Sequence, residues 1–540
     1  MRTMLNVIIL AAGDISSKLP FLVPKSRSPA LVPINTRPLV FYLIEFYRSI
    51  GGCSVNIFVA HDQLEAVVSE LLSFKDECQI YPLPKTEGVN ESLKMAVAMV
   101  SEAEEVVVNL VTTIPVRLPQ TNEVQISNKV TPYQVCSNII LKAGGVVFSP
   151  KKEPLKEPGY PFTGIFRVRT DDLIKALGRT KISDDLLYVV MSLGESLPLK
   201  YVKVDWKDCG HEINYYETRS RLISSRTFNN ITVSPEKGIL RKASRQADKL
   251  RQEFEYMLFL PVDIQVYFPR ILTGFQETGK EAGFFEMEYY GYPNVAEYQL
   301  YWEVSPANWY RIFSRLQNVL REFKKYTTHI GPDTSGKIYF DKTRLRVQEY
   351  HEQLKRSGRD ISWFNGETII NGVTCKPISE LWGAVEERAR SIYRQDDFCI
   401  IHGDFCFNNM LYDLPSGVLR LVDPRGSFGI DSMSIYGDQK YDLAKLAHSA
   451  GGGYDYFVND LFEISIDDRH FNYSLNLREN QALIDMLCRQ TIAELGYDED
   501  DIRFIMGLLF VSMCALHYES TQRQQAMYVH GLRILNEVLV

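Results

Sequence analysis

The sequence predicts an α/β unit built on an open, mostly parallel sheet, followed by a bilobal α+β unit. Three observations predict this. Val7–Leu10, Val55–Ala60 and Val106–Val111 are near-continuous apolar runs, the pattern of strands buried on both faces. Leu39–Ser49 and Ser92–Val100 between them carry apolar residues at helical spacing, so strand and helix alternate. From about Thr227 the texture changes to a hairpin-like stretch and then to long helical patterns.

The elements follow in order. In the first 222 residues an open sheet of this kind places ligands at the carboxyl ends of its strands. The second unit is expected over residues 226–540. Its small lobe, about 226–290, holds a hairpin over Asn229–Ser234 and Gly238–Ser244, a helix over Gln246–Phe259 and a strand over Phe284–Tyr290. The rest, about 291–540, reads as a helical lobe with Trp309–Tyr326 and Ile378–Arg394 as helices, a loop-rich break at Ile400–Gly429, and helices to the C-terminus. A small β-rich lobe followed by a larger helical one is the layout of a protein-kinase-like fold.

Composition narrows the function. The chain has 540 residues, with 45% hydrophobic and 24% charged, values ordinary for folded domains. Sixty basic against 67 acidic side chains leave a net charge of −7, which argues against a general nucleic-acid binder or a polybasic membrane surface. The nine cysteines are an odd number without a CxxC pair, so neither a disulfide framework nor a structural zinc site is expected, and a cytoplasmic location fits. Phe504–Leu516, interrupted by Gly507 and Ser512, falls short of the roughly 18 residues that would span a bilayer and reads as a buried helix. The apolar N-terminus contains Asn6 and runs into a Gly turn, so it reads as a core strand rather than a signal peptide.

The sharpest chemistry lies in Ile401-His402-Gly403-Asp404-Phe405-Cys406-Phe407-Asn408-Asn409, with Asp423 ending the apolar segment Leu419–Val422. An Asp, an Asn five residues later and a downstream Asp suit metal-assisted phosphoryl transfer: one carboxylate takes the proton of the attacking hydroxyl, the other two groups hold Mg²⁺ on nucleotide phosphates. This pattern resembles the aminoglycoside phosphotransferase and choline kinase superfamily. The resemblance implies Asp404 as catalytic base, His402 as the brace of its loop, and Asn409 and Asp423 as metal ligands. It extends to Tyr441-Asp442-Leu443-Ala444, similar to a structural segment of that superfamily. It further implies ATP and Mg²⁺ as cofactors, Lys242 on the hairpin as the phosphate-binding lysine with Glu253 as its partner, and the Glu288–Tyr289 stretch beside an adenine ring. Ser234–Gly238 takes the place of a Gly-rich loop.

Arg425, two residues past Asp423, would repel a quaternary ammonium and favour carboxylate, phosphate or polyhydroxyl groups, or else simply pair with Asp431 or Asp438. The run from Asp423 to Leu446 resembles phosphotransferases of capsular and surface-polysaccharide gene sets, which implies a sugar, polyol or amino-alcohol acceptor.

The first unit carries a second resemblance. Leu10-Ala11-Ala12-Gly13, Leu31–Leu39, Gly164-Ile165-Phe166 and Trp206–His211 are similar to segments of the sugar-1-phosphate nucleotidyltransferases, whose glycine turn wraps phosphates through backbone N–H groups. Ala11, Ala12, Gly13 and Asp208 are thus a vestigial nucleotide loop and metal carboxylate, or a plain strand-turn. The departures fall on the chemistry. Asp14–Lys18 is one residue longer than the family's loop and holds the bulky Ile15. Ser28-Pro29 stands where the family has Pro-Lys, with Lys25 or Arg27 as substitutes only if the loop is rebuilt, and Asn109–Thr113 lacks a carboxylate. A lone Asp208 is a poor anchor for a metal bridging phosphates.

The leading expectation is an ATP-dependent small-molecule kinase fused to an inactive nucleotidyltransferase-like unit. A bifunctional kinase and nucleotidyltransferase, and a non-catalytic nucleotide-binding scaffold, are the alternatives. The expected partners are a hydroxyl acceptor and a nucleoside triphosphate. Neither nucleic acid nor a membrane span is expected, and an oligomer stays open.

Overall fold

A computed structural model describes the chain except residues 1–3, 17, 20–27, 72–73, 75, 101–102, 132–135, 143–144, 152–156, 223–228, 279–280, 359–360 and 429–432. Lys25, Arg27 and Asp431 lie outside the described residues, as does most of the expected boundary near residues 220–228. The chain divides into two compact units, Met1–Leu222 with Tyr301–Glu303, and Ile223–Leu300 with Val304–Val540.

The first unit is built on a nine-stranded sheet. Its parallel core runs Gln79–Leu83, Cys53–Ala60, Leu5–Ala11 and Glu105–Leu110. Tyr160–Arg169 then pairs antiparallel with Glu105–Leu110 and starts an antiparallel wing containing Asn138–Lys142 and Gly145–Ser149. Glu123–Ser127 lies against Tyr160–Arg169 and pairs in parallel with Lys200–Val204. The central strand is apolar and buried from Val7 to Ala11 because both faces are covered. Val7, Ile9 and Ala11 join the helix Leu39–Ile50 on one side; Ile8 and Leu10 join Val89–Met99, Thr170–Arg179 and Leu186–Gly194 on the other.

The second unit opens with a four-stranded antiparallel sheet in the order Asn229–Ser234, Ile239–Ser244, Glu281–Glu288, Gln276–Thr278. The expected hairpin is there, closed by Pro235–Lys237 and by Gly238 in the left-handed region at φ 64°. The helix Ala247–Phe259 follows. Further on come the helices Pro306–Lys324, Lys342–Arg356, Ile378–Ser391 and Gln439–Ala450. Glu499–Met513 covers most of the apolar stretch read as a core helix, and ten of its residues are buried. Among the described residues no helix is long and apolar enough to cross a membrane.

One expectation for this region is corrected. The C-terminal part is not helical throughout: Val373–Cys375, Thr368–Ile370, His470–Leu475 and Phe462–Asp467 form a second four-stranded sheet. The hairpin from Phe462 to Leu475 turns at Asp468, whose φ is 51°. Its partner Thr368–Ile370 is about a hundred residues earlier, and a local pattern search cannot see a pairing across that separation.

Candidate functional site

In the second unit the motif residues converge because of one small hairpin. The strand Phe398–Ile400 delivers the loop 401–409, which leads into the antiparallel pair Met410–Asp413 and Val418–Leu421. Met410 is opposite Leu421, so the chain leaves and returns at the same place, and the Val422 N–H donates to the Asn409 carbonyl at 3.0 Å. This explains how Asn409 and Asp423 come to neighbouring positions. Asp423 itself adopts φ 57°, a left-handed conformation rare for residues other than Gly and Asn, and its side chain is half exposed.

The loop is held from beneath. Asp442, fully buried on the helix Gln439–Ala450, accepts the N–H groups of His402 at 2.7 Å and Gly403 at 2.8 Å. His402 is also fully buried; the Asp404 N–H donates to its Nδ1 at 3.2 Å, which leaves Nε2–H to donate to the Val422 carbonyl at 3.1 Å. Burial brings its pKa down to about 4, so the imidazole is neutral and serves as a strut between two strands of the site. Phe268 stacks on its ring. Gly403 has φ 75°, and a Cβ there would lie 2.8 Å from Arg425 Cβ; only glycine fits.

Lys242 is buried on Ile239–Ser244 and reaches Glu253 Oε2 at 2.7 Å and Asp423 Oδ1 at 2.6 Å. Burial works against its charge, but Asp423 and Glu253 outweigh it and hold its pKa above the ordinary lysine value. The pair ties the β-rich lobe to the helical lobe within this unit. Asn409 donates its amide Nδ2 to the Asp404 carbonyl at 2.9 Å, which keeps its Oδ1 as the oxygen donor. An amide oxygen and a half-exposed carboxylate side by side are hard oxygen ligands of the kind Mg²⁺ takes together with phosphate and water, so these residues fit that ion.

Around Asp404 the structure brings in the expected Arg425 and adds Lys445, which the sequence motifs do not mark. Lys445 Nζ is 2.9 Å from Asp404 Oδ1, and Arg425 Nη2 is 3.9 Å from it. Arg425 Nη1 donates to the Tyr441 hydroxyl at 3.3 Å. Arg425 does not pair with Asp438, whose carboxylate instead caps the helix at Lys440 N and accepts from Tyr339. A usable signal for Lys445 was its place four residues after Tyr441, which puts both on one helix face.

The stretch read as adenine-flanking is engaged internally. Glu288 pairs with Arg270 at 3.2 Å and accepts from the Tyr290 hydroxyl, while the Tyr289 N–H donates to the Gly238 carbonyl at 2.8 Å.

The first unit has a cavity of about 920 Å³ at the carboxyl ends of its parallel strands, lined by Ala12, Gly13, Lys18, Thr112, Lys151 and Asp208 among others. Ala11 is packed in the core instead. Asp208 is buried, and its carboxylate is taken: Gly210 N–H donates to Oδ1 at 2.9 Å, Asn214 donates to Oδ2 at 2.8 Å, and His211 Nδ1 is 2.6 Å from Oδ2. Its register partner is Thr113, so a threonine stands beside it where a second carboxylate would be needed for a bridging metal. Lys18 is held below its ordinary pKa by desolvation and then by Lys151, with Asp208 pulling the other way.

Comparison with known proteins adds the following. Residues 218–460 match the model of the phosphotransferase enzyme family, APH. Among curated proteins none matches this sequence. Of the similar solved structures, one from Bacillus anthracis assigned as a glucose-1-phosphate thymidylyltransferase, with sucrose, is 18% identical over 41% of this chain and 98% of its own, TM-score 0.35. The CTP:phosphocholine cytidylyltransferase of Streptococcus pneumoniae is 15% identical over 41% and 99%, TM-score 0.31. An aminoglycoside phosphotransferase of Streptomyces rimosus, with ADP and streptomycin, is 14% identical over 52% and 90%, TM-score 0.33. The C-terminal part of this chain carries a phosphotransferase-family domain.

Proposed function

We propose that the second unit is an ATP-dependent kinase that phosphorylates a hydroxyl group of a small metabolite. The observation that supports it most is the Lys242–Asp423 ion pair across 181 residues of sequence, beside Asn409, whose side-chain amide holds the Asp404 carbonyl. In this reading Lys242, set by Glu253, binds nucleotide phosphates. Asn409 and Asp423 hold Mg²⁺, which supplies charge neutralisation on the phosphates when bound. Asp404 is the base: as the acceptor oxygen bonds to the γ-phosphorus, its proton passes to the Asp404 carboxylate and the bond to the bridging oxygen breaks, releasing ADP. His402 and Asp442 position that carboxylate through the loop backbone. Glu288 and Tyr289 border the adenine site. On the sequence resemblance, the setting is precursor synthesis for a surface or capsular polysaccharide.

The test is Mg·ATP consumption against a panel of sugars, polyols, amino alcohols and their acidic derivatives, with Asp404→Ala as control. Acceptor-dependent ADP release that disappears in the variant, with ATP binding retained, is the expected result. Turnover unchanged in Asp404→Ala overturns the assignment.

A second reading concerns the first unit. Its cavity supports ligand binding, while the occupied Asp208 carboxylate and its threonine neighbour weigh against nucleotidyl transfer. We therefore favour a binding or assembly role there. Pyrophosphate release from a nucleoside triphosphate and a phosphorylated acceptor would restore the bifunctional alternative.

A further inference from the structure

Three cations crowd the surroundings of Asp404. Among the described residues, Lys445, Arg425 and Lys342 gather about this one carboxylate and Tyr441. Lys445 is buried 2.9 Å from Asp404; Arg425 is half exposed at 3.9 Å; Lys342 is exposed, with Nζ 5.5 Å from the Tyr441 ring centre. The nearby acids are committed elsewhere. Both Asp442 oxygens accept backbone N–H groups of the loop, Asp423 holds Lys242, and Asp438 and Asp397 pair with Lys440. Among the described residues Lys445 is the cation closest to Asp404, Arg425 has no ion pair with any other carboxylate, and Lys342 has none at all. The surroundings register these charges: burial alone would raise the Tyr441 pKa, yet Lys342, Arg425 and Lys445 bring it down to about 8.

Two such cations beside a proton-accepting carboxylate have a chemical meaning. A guanidinium presents a planar fork that matches carboxylate and phosphate oxygens, and it cannot shed its charge. An ammonium-bearing acceptor would meet like charge at the same place. Resting on the phosphotransferase reading, we propose that the acceptor is an anionic hydroxyl compound, whose carboxylate or phosphate docks on Arg425 and Lys342 while its hydroxyl faces Asp404. Lys445 is then a positioning residue, acting through Asp404, and Tyr441 orients the Arg425 fork.

The test uses the full chain and matched probes: glycerol, glycerate and glycerol 3-phosphate; glucose, glucuronate and glucose 6-phosphate; ethanolamine and serinol as amines. Binding is read by calorimetry with Mg²⁺ and a non-hydrolysable ATP analogue, and turnover by ADP release. An acidic member should be favoured over its neutral counterpart by about tenfold or more, the scale of one well-made charged contact. Which of the acidic members leads separates carboxylate from phosphate. Arg425→Met should raise KM for that member by about tenfold while the KM for ATP stays put, and Arg425→Lys should recover part of the loss. Neutral or amine members that match the acidic ones overturn the proposal, as does a panel without discrimination. A fall in kcat with unchanged acceptor KM in Arg425→Met also overturns it, because the cations would then serve the transferred phosphoryl group. Failure of the unaltered protein to bind Mg·ATP brings down the phosphotransferase reading itself, a different outcome.

Discussion

Asp208 and Asp423 invite a direct comparison. Both resemble a family's metal-binding aspartate. In the first unit Asp208 is buried and its two oxygens are taken by Gly210, His211 and Asn214. In the second, Asp423 is half exposed, holds Lys242 through one oxygen and adjoins the Asn409 backbone. The same kind of side chain is locked into a turn in one unit and faces a buried lysine in the other. What separates them is the shell of partners: three hydrogen bonds spread over both oxygens hold Asp208 in its turn, whereas Asp423 meets a buried lysine through Oδ1.

The largest effects expected from this difference are on turnover. Asp404→Ala should cut acceptor-dependent ADP release by about 10²- to 10⁴-fold, the usual scale of a general base, with Mg·ATP affinity little changed in calorimetry. Asp423→Ala should instead weaken Mg·ATP binding; normal affinity in a Mg²⁺ titration would sink its role as a ligand. Asp208→Ala should leave ADP release as it is, and a large loss of turnover there would erase the contrast between the two carboxylates.

Smaller effects fall on stability. Glu253→Ala removes one of two anions from a buried lysine and should destabilise the second unit by about 3 kcal/mol, read as a lower melting temperature with a higher KM for ATP. Asp208→Ala strands the Gly210 N–H and the Asn214 amide and should lower the stability of the first unit by about 1–3 kcal/mol in urea unfolding. Equal stability of that variant and the parent would mean that the turn does not need the carboxylate.

The subtlest test is pH. Tyr441 faces Lys342, Arg425, Lys445, Asp404 and the Tyr339 ring. Its hydroxyl is neutral below about pH 8 and a phenolate above. As pH rises through that value, the new negative charge beside Arg425 competes with an anionic acceptor, so acceptor KM should climb between pH 7 and 9. Tyr441→Phe should remove that rise. A parallel climb in both proteins would assign the effect to another group.

Much of this was legible in the letters. The parallel strands of the first unit show as apolar runs because burial on both faces leaves no polar alternation. The Asp404, Asn409 and Asp423 pattern shows because a single loop and hairpin carry all three within 20 residues. The sheet that joins Thr368–Ile370 to His470–Leu475 was not legible, since that pairing spans about a hundred residues. Lys342 escaped for a related reason, since nothing in its own neighbourhood marks it; Lys445 offered only its helical spacing from Tyr441, and the fold sets both around Asp404 and Tyr441.

The division has a physical basis. Backbone conformation and local hydrogen bonding depend on residues a few positions apart, so the sequence by itself determined the alternation of strands and helices, the glycine at position 403 and the order of the phosphotransfer motif. Charge balance and ligand availability depend on distances through space between residues that may be hundreds of positions apart. Whether Asp208 is closed, whether Lys242 meets Asp423, and which cations surround Asp404 were therefore decided by the tertiary structure alone, because Coulomb energy and donor saturation are set by ångströms, not by spacing along the chain.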